Sequence, residues 1–245
     1  MMEMDLLKPE EFVVQITKEI DEYFETSGFN ELWLGNKQDG EIPDEEKEKS
    51  IINRLVVGYH NEIYVRDAAV SAMEITPDVK TQQAILRQVN DEHKHAMMIF
   101  NLLQERGIDP RKTEVGRVWS MFWDYIIGRP YDRQATRDVN LFLNLISTNQ
   151  LVTERLFGLR ATEAFAQSIA DFDPVVAELY GVKIRKDEIF HTIELPEMIL
   201  KRHANTLEAQ LSVRDGVERG KKFLHLIADD VISAKKSKEF GSALH

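Results

Sequence analysis

The sequence contains no cysteine, and this absence excludes several kinds of protein at once. Without thiols the chain can form no disulfide, hold no Cys-ligated zinc, and ligate no iron–sulfur cluster or rubredoxin-type iron as an electron relay. Carboxylate and imidazole are therefore the side chains left to hold a tightly bound metal. Hydrophobic residues make up 43% of the 245 residues, which is enough for a substantial core without a covalent staple.

Positive charge is also scarce, since 31 Lys and Arg face 42 Asp and Glu for a net charge of −11. Duplex binding depends on neutralising phosphates, so this balance disfavours a nucleic-acid groove. No stretch reaches the roughly 18 uninterrupted apolar residues of a membrane span, and the first residues lack the basic and apolar regions of a signal peptide. We therefore expect a soluble cytoplasmic protein without nucleic-acid or membrane partners.

Runs of alternating β-branched residues are missing as well, whereas apolar residues recur at helical spacing along almost every long segment. We predict a single all-α domain over residues 1–245, with its core helices at about 44–205 and further helices at the N-terminus, in mid-chain and at the C-terminus. Proline and glycine mark the helix ends, and Pro196 predicts a kink. The predicted helices cover about 9–26, 44–76, 78–106, 115–128, 133–170, 174–203 and 206–236, followed by a frayed tail at 235–245.

Two short phrases of the form D-E-x-x-H, Asp91–His95 and Asp187–His191, lie 96 residues apart. Residues three apart on a helix share a face at about 5–6 Å, so the Glu and His of each phrase can bind one metal ion. In a chain of this composition chance gives about 0.7 matches to E-x-x-H, and about 0.05 when Asp must come first. Ordinary solvated helix faces are the alternative, but two such matches favour a metal site.

Each phrase lies in a helix that follows a proline-marked turn, and residues equidistant from such a turn lie at one height in an antiparallel hairpin. Glu62 lies as far before the turn at 76–78 as Glu92 lies after it, fourteen residues in each case. Glu154 and Glu188 flank the turn at 171–174 at 17 and 14 residues. The competing acids lie too near their turns: Asp67, Glu74 and Glu163.

Glu62 and Glu154 both lie on apolar stripes, so four carboxylates would meet in the core. Buried anionic carboxylates are costly unless cations compensate them. Four carboxylates with two imidazoles suit two first-row transition metals better than calcium, which does not recruit imidazole, or zinc. We expect two irons, with a manganese–iron pair as the alternative, and no catalytic group beyond the ligands. The predicted ligands are Glu62, Glu92, His95, Glu154, Glu188 and His191.

The order Glu, E-x-x-H, Glu, E-x-x-H resembles the ferritin-like diiron-carboxylate proteins, whose four-helix bundle supplies these ligands. The resemblance covers about residues 50–200, and the spacings of 30 and 34 residues look most like the hydroxylase subunits of bacterial multicomponent monooxygenases. It implies a ferritin-like four-helix bundle. It also implies that Asp91 and Asp187 accept hydrogen bonds from the ligand imidazoles, with ordinary exposed acids as the alternative.

By this resemblance the chain is a dioxygen-activating non-haem diiron monooxygenase or oxidase that hydroxylates, desaturates or otherwise oxidises a largely apolar organic substrate. Electrons would come from a separate ferredoxin or flavoprotein reductase, because no cysteine can hold an internal relay, and we expect a homodimer. The chain is about half as long as those hydroxylase subunits. A ferritin-like ferroxidase or iron-storage protein is the alternative function, and a scaffold without metal is the third.

The predicted substrate pocket consists of Tyr59, Phe157 and Gly158, which lie within about one turn of a predicted ligand. A plain core tyrosine is the alternative for Tyr59. Gly158 stands where the similar hydroxylases commonly carry a hydroxyl residue, and it either opens space for a substrate or allows close helix packing. Further apolar lining is expected from Phe165, Met98 and Ile99.

Overall fold

The computed structural model describes residues 5–29, 43–113, 117–128 and 138–242, the side chains of 117, 118 and 231–242 excepted. Within these ranges the regular structure is entirely helical, which confirms the all-α prediction. The helices are α1 (Pro9–Thr26), α2 (Asp44–Glu74), α3 (Val79–Glu105), α4 (Arg117–Gly128), α5 (139–169), α6 (174–203) and α7 (Leu207–Ser242), with a short 3-10 helix at Pro110–Lys112. None of the described helices is long and apolar enough to cross a membrane.

The helix boundaries follow the sequence signals, with one difference at the C-terminal end. Pro9 opens α1, and Gly107 follows α3 in the left-handed conformation at φ 75°, which suits glycine. The predicted starts at 115 and 133 fall in 114–116 and 129–137, outside the described residues. The predicted frayed tail is wrong as far as Ser242, because α7 continues to that residue.

Aspartate caps begin three of the long helices. Asp78 accepts hydrogen bonds from the backbone N–H groups of Lys80 and Thr81 at 2.9 and 3.2 Å, and Asp138 and Asp173 cap α5 and α6 in the same way. Each carboxylate satisfies backbone donors that have no partner within the helix. These caps fix where α3, α5 and α6 start, and so fix the height of the residues further along.

Two hairpins form the centre of the fold: α2 packs along α3, and α5 packs along α6. α7 lies against the first part of α5, α1 packs on the end of α6, and α4 covers α2. Buried apolar residues form two separate clusters, and the D-E-x-x-H phrases lie between them. In α3, for example, Glu92 and His95 fall between Ile85 of the larger cluster and Ile99 of the smaller. The polar site therefore interrupts the hydrophobic core.

Helices α5 and α6 change their winding beside this site. Asn149–Arg160 of α5, and Leu179–Ile184 and Phe190–Glu194 of α6, are π-helical, whereas the sequence predicts uniform helices. Threonine hydroxyls accompany the wider turns in α5, since Thr153 donates to the carbonyl of Thr148 at 3.0 Å. π segments are frequent at functional sites. Pro196, the predicted kink, lies just after the last π segment, at the start of Leu195–His203.

Candidate metal centre

The structure brings together the six side chains that the sequence predicts as ligands. They come from α2, α3, α5 and α6, and all are buried: Glu92, His95 and His191 are fully inaccessible and Glu62 is 7% exposed. One oxygen or nitrogen from each of Glu62, Glu92, His95 and Glu188 lies within 4.8 Å of the others, an arrangement that could hold a metal ion.

Glu92 stands between the two imidazoles. Its Oε1 lies 3.0 Å from Nδ1 of His191, and its Oε2 lies 3.3 Å from Nδ1 of His95. Oε1 of Glu188 lies almost midway between the same two nitrogens, at 3.7 Å from His95 and 3.6 Å from His191. Both carboxylates can therefore serve two metal positions at once.

The other two carboxylates come from different hairpins. Oε2 of Glu62 is 3.5 Å from Nδ1 of His95. Glu154 is on the other hairpin, where its Oε2 and that of Glu188 approach Gly158 from the same side. The cluster therefore contains four carboxylates and two imidazoles.

Gly158 makes room for the carboxylates. A Cβ placed on it would meet Oε2 of Glu188 at 2.5 Å and Oε2 of Glu154 at 3.1 Å. The sequence left open whether this glycine serves a substrate or helix packing. The geometry gives it a third role, because a larger residue would occupy the space that Glu188 uses.

The two D-E-x-x-H phrases support each other crosswise. Nε2 of His95 in α3 lies 3.1 Å from Oδ2 of Asp187 in α6, and Nε2 of His191 in α6 lies 3.4 Å from Oδ2 of Asp91 in α3. A carboxylate can only accept, so each Asp favours a proton on Nε2 and turns Nδ1 towards the cluster. Lys94 holds Asp187 in place at 3.0 Å.

Two glutamines near the centre were missed by sequence reasoning. Nε2 of Gln88 donates to Oε1 of Glu92 at 3.1 Å, and Nε2 of Gln150 donates to Oε1 of Gln88 at 2.7 Å. Both glutamines are buried, and each lies four residues before a predicted ligand, Glu92 or Glu154. That spacing on the ligand face is the signal that could have identified them.

The charge balance of the cluster calls for cations. Burial raises the pKa of Glu62 to about 8, and burial with neighbouring carboxylates raises the pKa of Glu154 and of Glu188. Burial alone would lower the pKa of His95, but the adjacent carboxylates of Glu62 and Glu92 outweigh it and raise the pKa to about 11. Burial acts to raise the pKa of Glu92, but His191 and His95 outweigh this effect and lower the pKa.

Orphaned polar atoms show that the donor set fits a metal. Nδ1 of His95, Nδ1 of His191, Oε2 of Glu92 and Oε2 of Glu188 are buried, and none has a hydrogen-bond partner among the described residues. Nδ1 of His191 and Nδ1 of His95 lie 3.0 and 3.3 Å from the Glu92 oxygens, yet no aligned hydrogen bond forms. An unpaired buried polar atom costs about 1–3 kcal/mol, and a shared cation would compensate all four. Oxygen and imidazole donors without sulfur suit first-row transition metals.

A cavity of about 420 Å³ leads from the surface to this cluster. Exposed residues such as Ser50 and Asp230 stand at its mouth, and the buried Glu62, Gly158 and Glu188 form its floor. Its other lining residues include Arg54, Asn61, Trp119, Phe157, Thr162, Phe165 and Tyr180.

Phe157, Gly158 and Phe165 therefore line the cavity, as the sequence predicts, but Tyr59 does not. The Tyr59 ring packs against His60 and Phe100, with ring centroids 5.3 and 5.8 Å apart, so it belongs to the apolar surroundings. Met98 and Ile99 belong to the smaller apolar cluster. Arg54, Tyr180 and Trp119 are cavity residues that sequence reasoning did not find.

Comparisons with known proteins add no identification: no protein-family model, no curated protein and no solved structure gives a significant match to this chain. The regular structure of the described residues is helical throughout and encloses a buried Glu/His cluster compatible with a diiron site.

Proposed function

We propose that this chain is a non-haem diiron oxygenase or oxidase with a ferritin-like four-helix bundle, and that it uses dioxygen to oxidise a largely apolar organic substrate. The supporting observation is the position of the Glu/His cluster at the floor of a cavity with aromatic walls. Glu62 and Glu188 belong to both the cluster and the cavity lining, so a molecule in the cavity would lie beside the metal ligands.

The ligands divide between two metal positions according to their neighbours. Glu62 and His95 would hold one ion, Glu154 and His191 the other, and Glu92 and Glu188 would be shared. Two iron ions in such a donor set supply the redox chemistry by which dioxygen is reduced and a substrate C–H bond oxidised. The four carboxylates bring the negative charge that favours the higher oxidation states.

The chain's own residues orient the ligands and exclude water. Asp187 and Asp91 hold the imidazole rings, and Gln88 fixes one oxygen of Glu92. Trp119 and Phe157 stand edge to face, with ring centroids 5.0 Å apart, and form part of the cavity wall. Such a wall keeps water away from a reactive centre.

The electron balance requires a partner. Inserting one oxygen atom of dioxygen into a C–H bond and reducing the other to water consumes two electrons beyond those of the substrate bond. Because the chain has no cysteine to hold a relay, we propose a ferredoxin or flavoprotein reductase as the external donor.

Metal analysis tests the foundation of this proposal. Protein purified from iron-supplied cells should contain about two metal ions per chain, and Glu92→Ala should lose most of both because it removes a shared ligand. Glu163→Gln is the matched control, since Glu163 is a half-exposed acid of α5 paired with Arg185. Wild-type protein without metal, or Glu92→Ala with a full complement, would contradict the proposal.

Oxygen uptake separates the possible functions of a loaded protein. An oxygenase should consume dioxygen in proportion to an organic substrate and an electron donor. A storage protein should instead take up dioxygen with ferrous iron and accumulate ferric mineral in a large oligomer, which would overturn the enzymatic proposal while leaving the metal site intact.

A further inference from the structure

The cavity contains an arginine that forms no ion pair with the described residues. Arg54 of α2 lines it, and no carboxylate of the described residues lies within ion-pair distance of its guanidinium. Among the described residues its one hydrogen bond, to Oγ1 of Thr162, is long at 3.5 Å, and its buried Nε has no partner there. The group stacks instead over the rings of Phe165 and Tyr180, with its central carbon 5.7 and 6.0 Å from their centroids. Within the described part of the chain, most of the donors of Arg54 therefore have no protein acceptor.

A second polar group in the same wall also lacks a partner. Tyr180 is only 2% exposed, and its hydroxyl makes no hydrogen bond within the described residues. The hydroxyl reaches the cavity wall at Gly58, where a Cβ would collide with it. Burial raises the pKa of Tyr180, so the phenol keeps its proton at neutral pH and its O–H can donate a hydrogen bond. A buried donor without an acceptor points to a ligand that supplies one.

We propose that the cavity binds a small organic carboxylate, whose charged end is held by Arg54 with help from the Tyr180 hydroxyl and whose apolar body extends towards Glu188. This inference rests on the proposed oxidative function and names its substrate class. The planar guanidinium presents paired donors that match a carboxylate. Trp119, Phe157 and Phe165 would cover the apolar body.

The distance along α5 between Gly158 and Thr162 sets the length of the ligand. The Arg54 guanidinium contacts Thr162, which lies one turn beyond Gly158 on α5. One turn corresponds to about 6 Å, so a carboxylate on Arg54 places atoms three to five bonds away beside the metal ligands. Phenylacetate and hydrocinnamate have about this length, and their ring matches the aromatic wall.

Acidic side chains line the cavity as well as Arg54. Asp230 at the mouth and Glu62 and Glu188 at the floor also face the cavity. In the loaded protein the metal ions would balance the charge of the two floor carboxylates, so these carboxylates would not repel an anionic ligand.

Binding measurements test the proposal without turnover. The affinities of phenylacetate, hydrocinnamate and their neutral amides can be measured by isothermal titration calorimetry of the iron-loaded protein under argon. The two acids should bind roughly tenfold to a hundredfold more tightly than the amides, as expected for charge-assisted hydrogen bonds. Arg54→Gln should abolish this preference while leaving the amide affinity near wild type, and Arg54→Lys should retain part of it. Arg66→Gln is the control, because Arg66 lies on the same helix, pairs with Asp67 and does not line the cavity.

Equal affinity of acid and amide for the wild-type protein, or binding of neither, would show that the proposal is wrong, and this comparison needs no variant. An unchanged preference in Arg54→Gln would also overturn it. Failure of the proposed function has a different signature, namely absence of bound metal or of substrate-dependent dioxygen uptake.

Discussion

Replacing Gly158 with alanine tests the geometry of the metal centre directly. The added Cβ would lie 2.5 Å from Oε2 of Glu188, whereas an ordinary contact begins at 3.4 Å, so this oxygen must move by about 0.9 Å. The same Cβ lies 3.1 Å from Oε2 of Glu154, so this second carboxylate limits how the Glu188 oxygen can move away. Because Glu188 stands between both imidazoles, its displacement should disturb both metal positions.

The expected loss is in metal affinity more than in stability. Disturbing the support of metal ligands typically costs about 10–100-fold in affinity, and we expect Gly158→Ala to fall in or above that range. Overpacking a core costs about 1–3 kcal/mol, but alanine is better than glycine in a helix by about 1 kcal/mol, so the metal-free fold should lose at most about 2 kcal/mol.

Chelator competition measures the affinity, and urea denaturation of the metal-free protein measures the free energy of unfolding. Gly181→Ala is a matched control in α6, because its Cβ would meet only the Cβ of Ala166, at 3.1 Å, and no carboxylate. It should bind metal like the wild type. Wild-type metal affinity in Gly158→Ala would refute the reasoning, since the carboxylates could not then depend on the space at that glycine.

Three further predictions concern the centre and its support. Asp187→Asn should weaken metal binding roughly tenfold, because His95 loses its charged acceptor, and unchanged affinity in chelator competition would contradict that role. Removing the metals should lower the melting temperature by several degrees. A ligand at a hundred times its Kd contributes about 2.7 kcal/mol, and the melting temperature of a chain of this size shifts by about 2–4 °C per kcal/mol. An unchanged calorimetric scan would argue against occupied sites. Asp78→Ala should cost about 1 kcal/mol in urea denaturation through loss of the α3 cap. Burial acts to raise the pKa of Asp78, but hydrogen bonds from Thr81 and Arg202 outweigh it and lower the pKa. The stability that the Asp78 cap contributes is therefore present above the unfolded pKa of about 3.9 and is lost as pH falls further. A stability difference between Asp78→Ala and wild type that persists undiminished at low pH would contradict this.

The sequence by itself determined the local parts of this protein. Helix ends were predicted from Pro9 and Gly107, and the aspartate caps that the structure shows are equally local, because capping depends on residues within one turn. The pairing of Glu with His in each D-E-x-x-H phrase is equally local. Even the choice of Glu62 as a partner of Glu92 needed only the rise per residue of two helices joined by a short turn.

Tertiary structure decided what depends on contacts between distant segments. The crosswise pairing of Asp187 with His95 joins residues 92 apart, and no spacing along one helix encodes it. The π-helical turns of α5 and α6 arise beside the buried cluster rather than from a pattern in the sequence. Arg54 and Tyr180 are ordinary residues of amphipathic helices until the two hairpins enclose a cavity between them. The sequence therefore specified which groups could bind metal, while packing decided how they face one another and what space lies beside them.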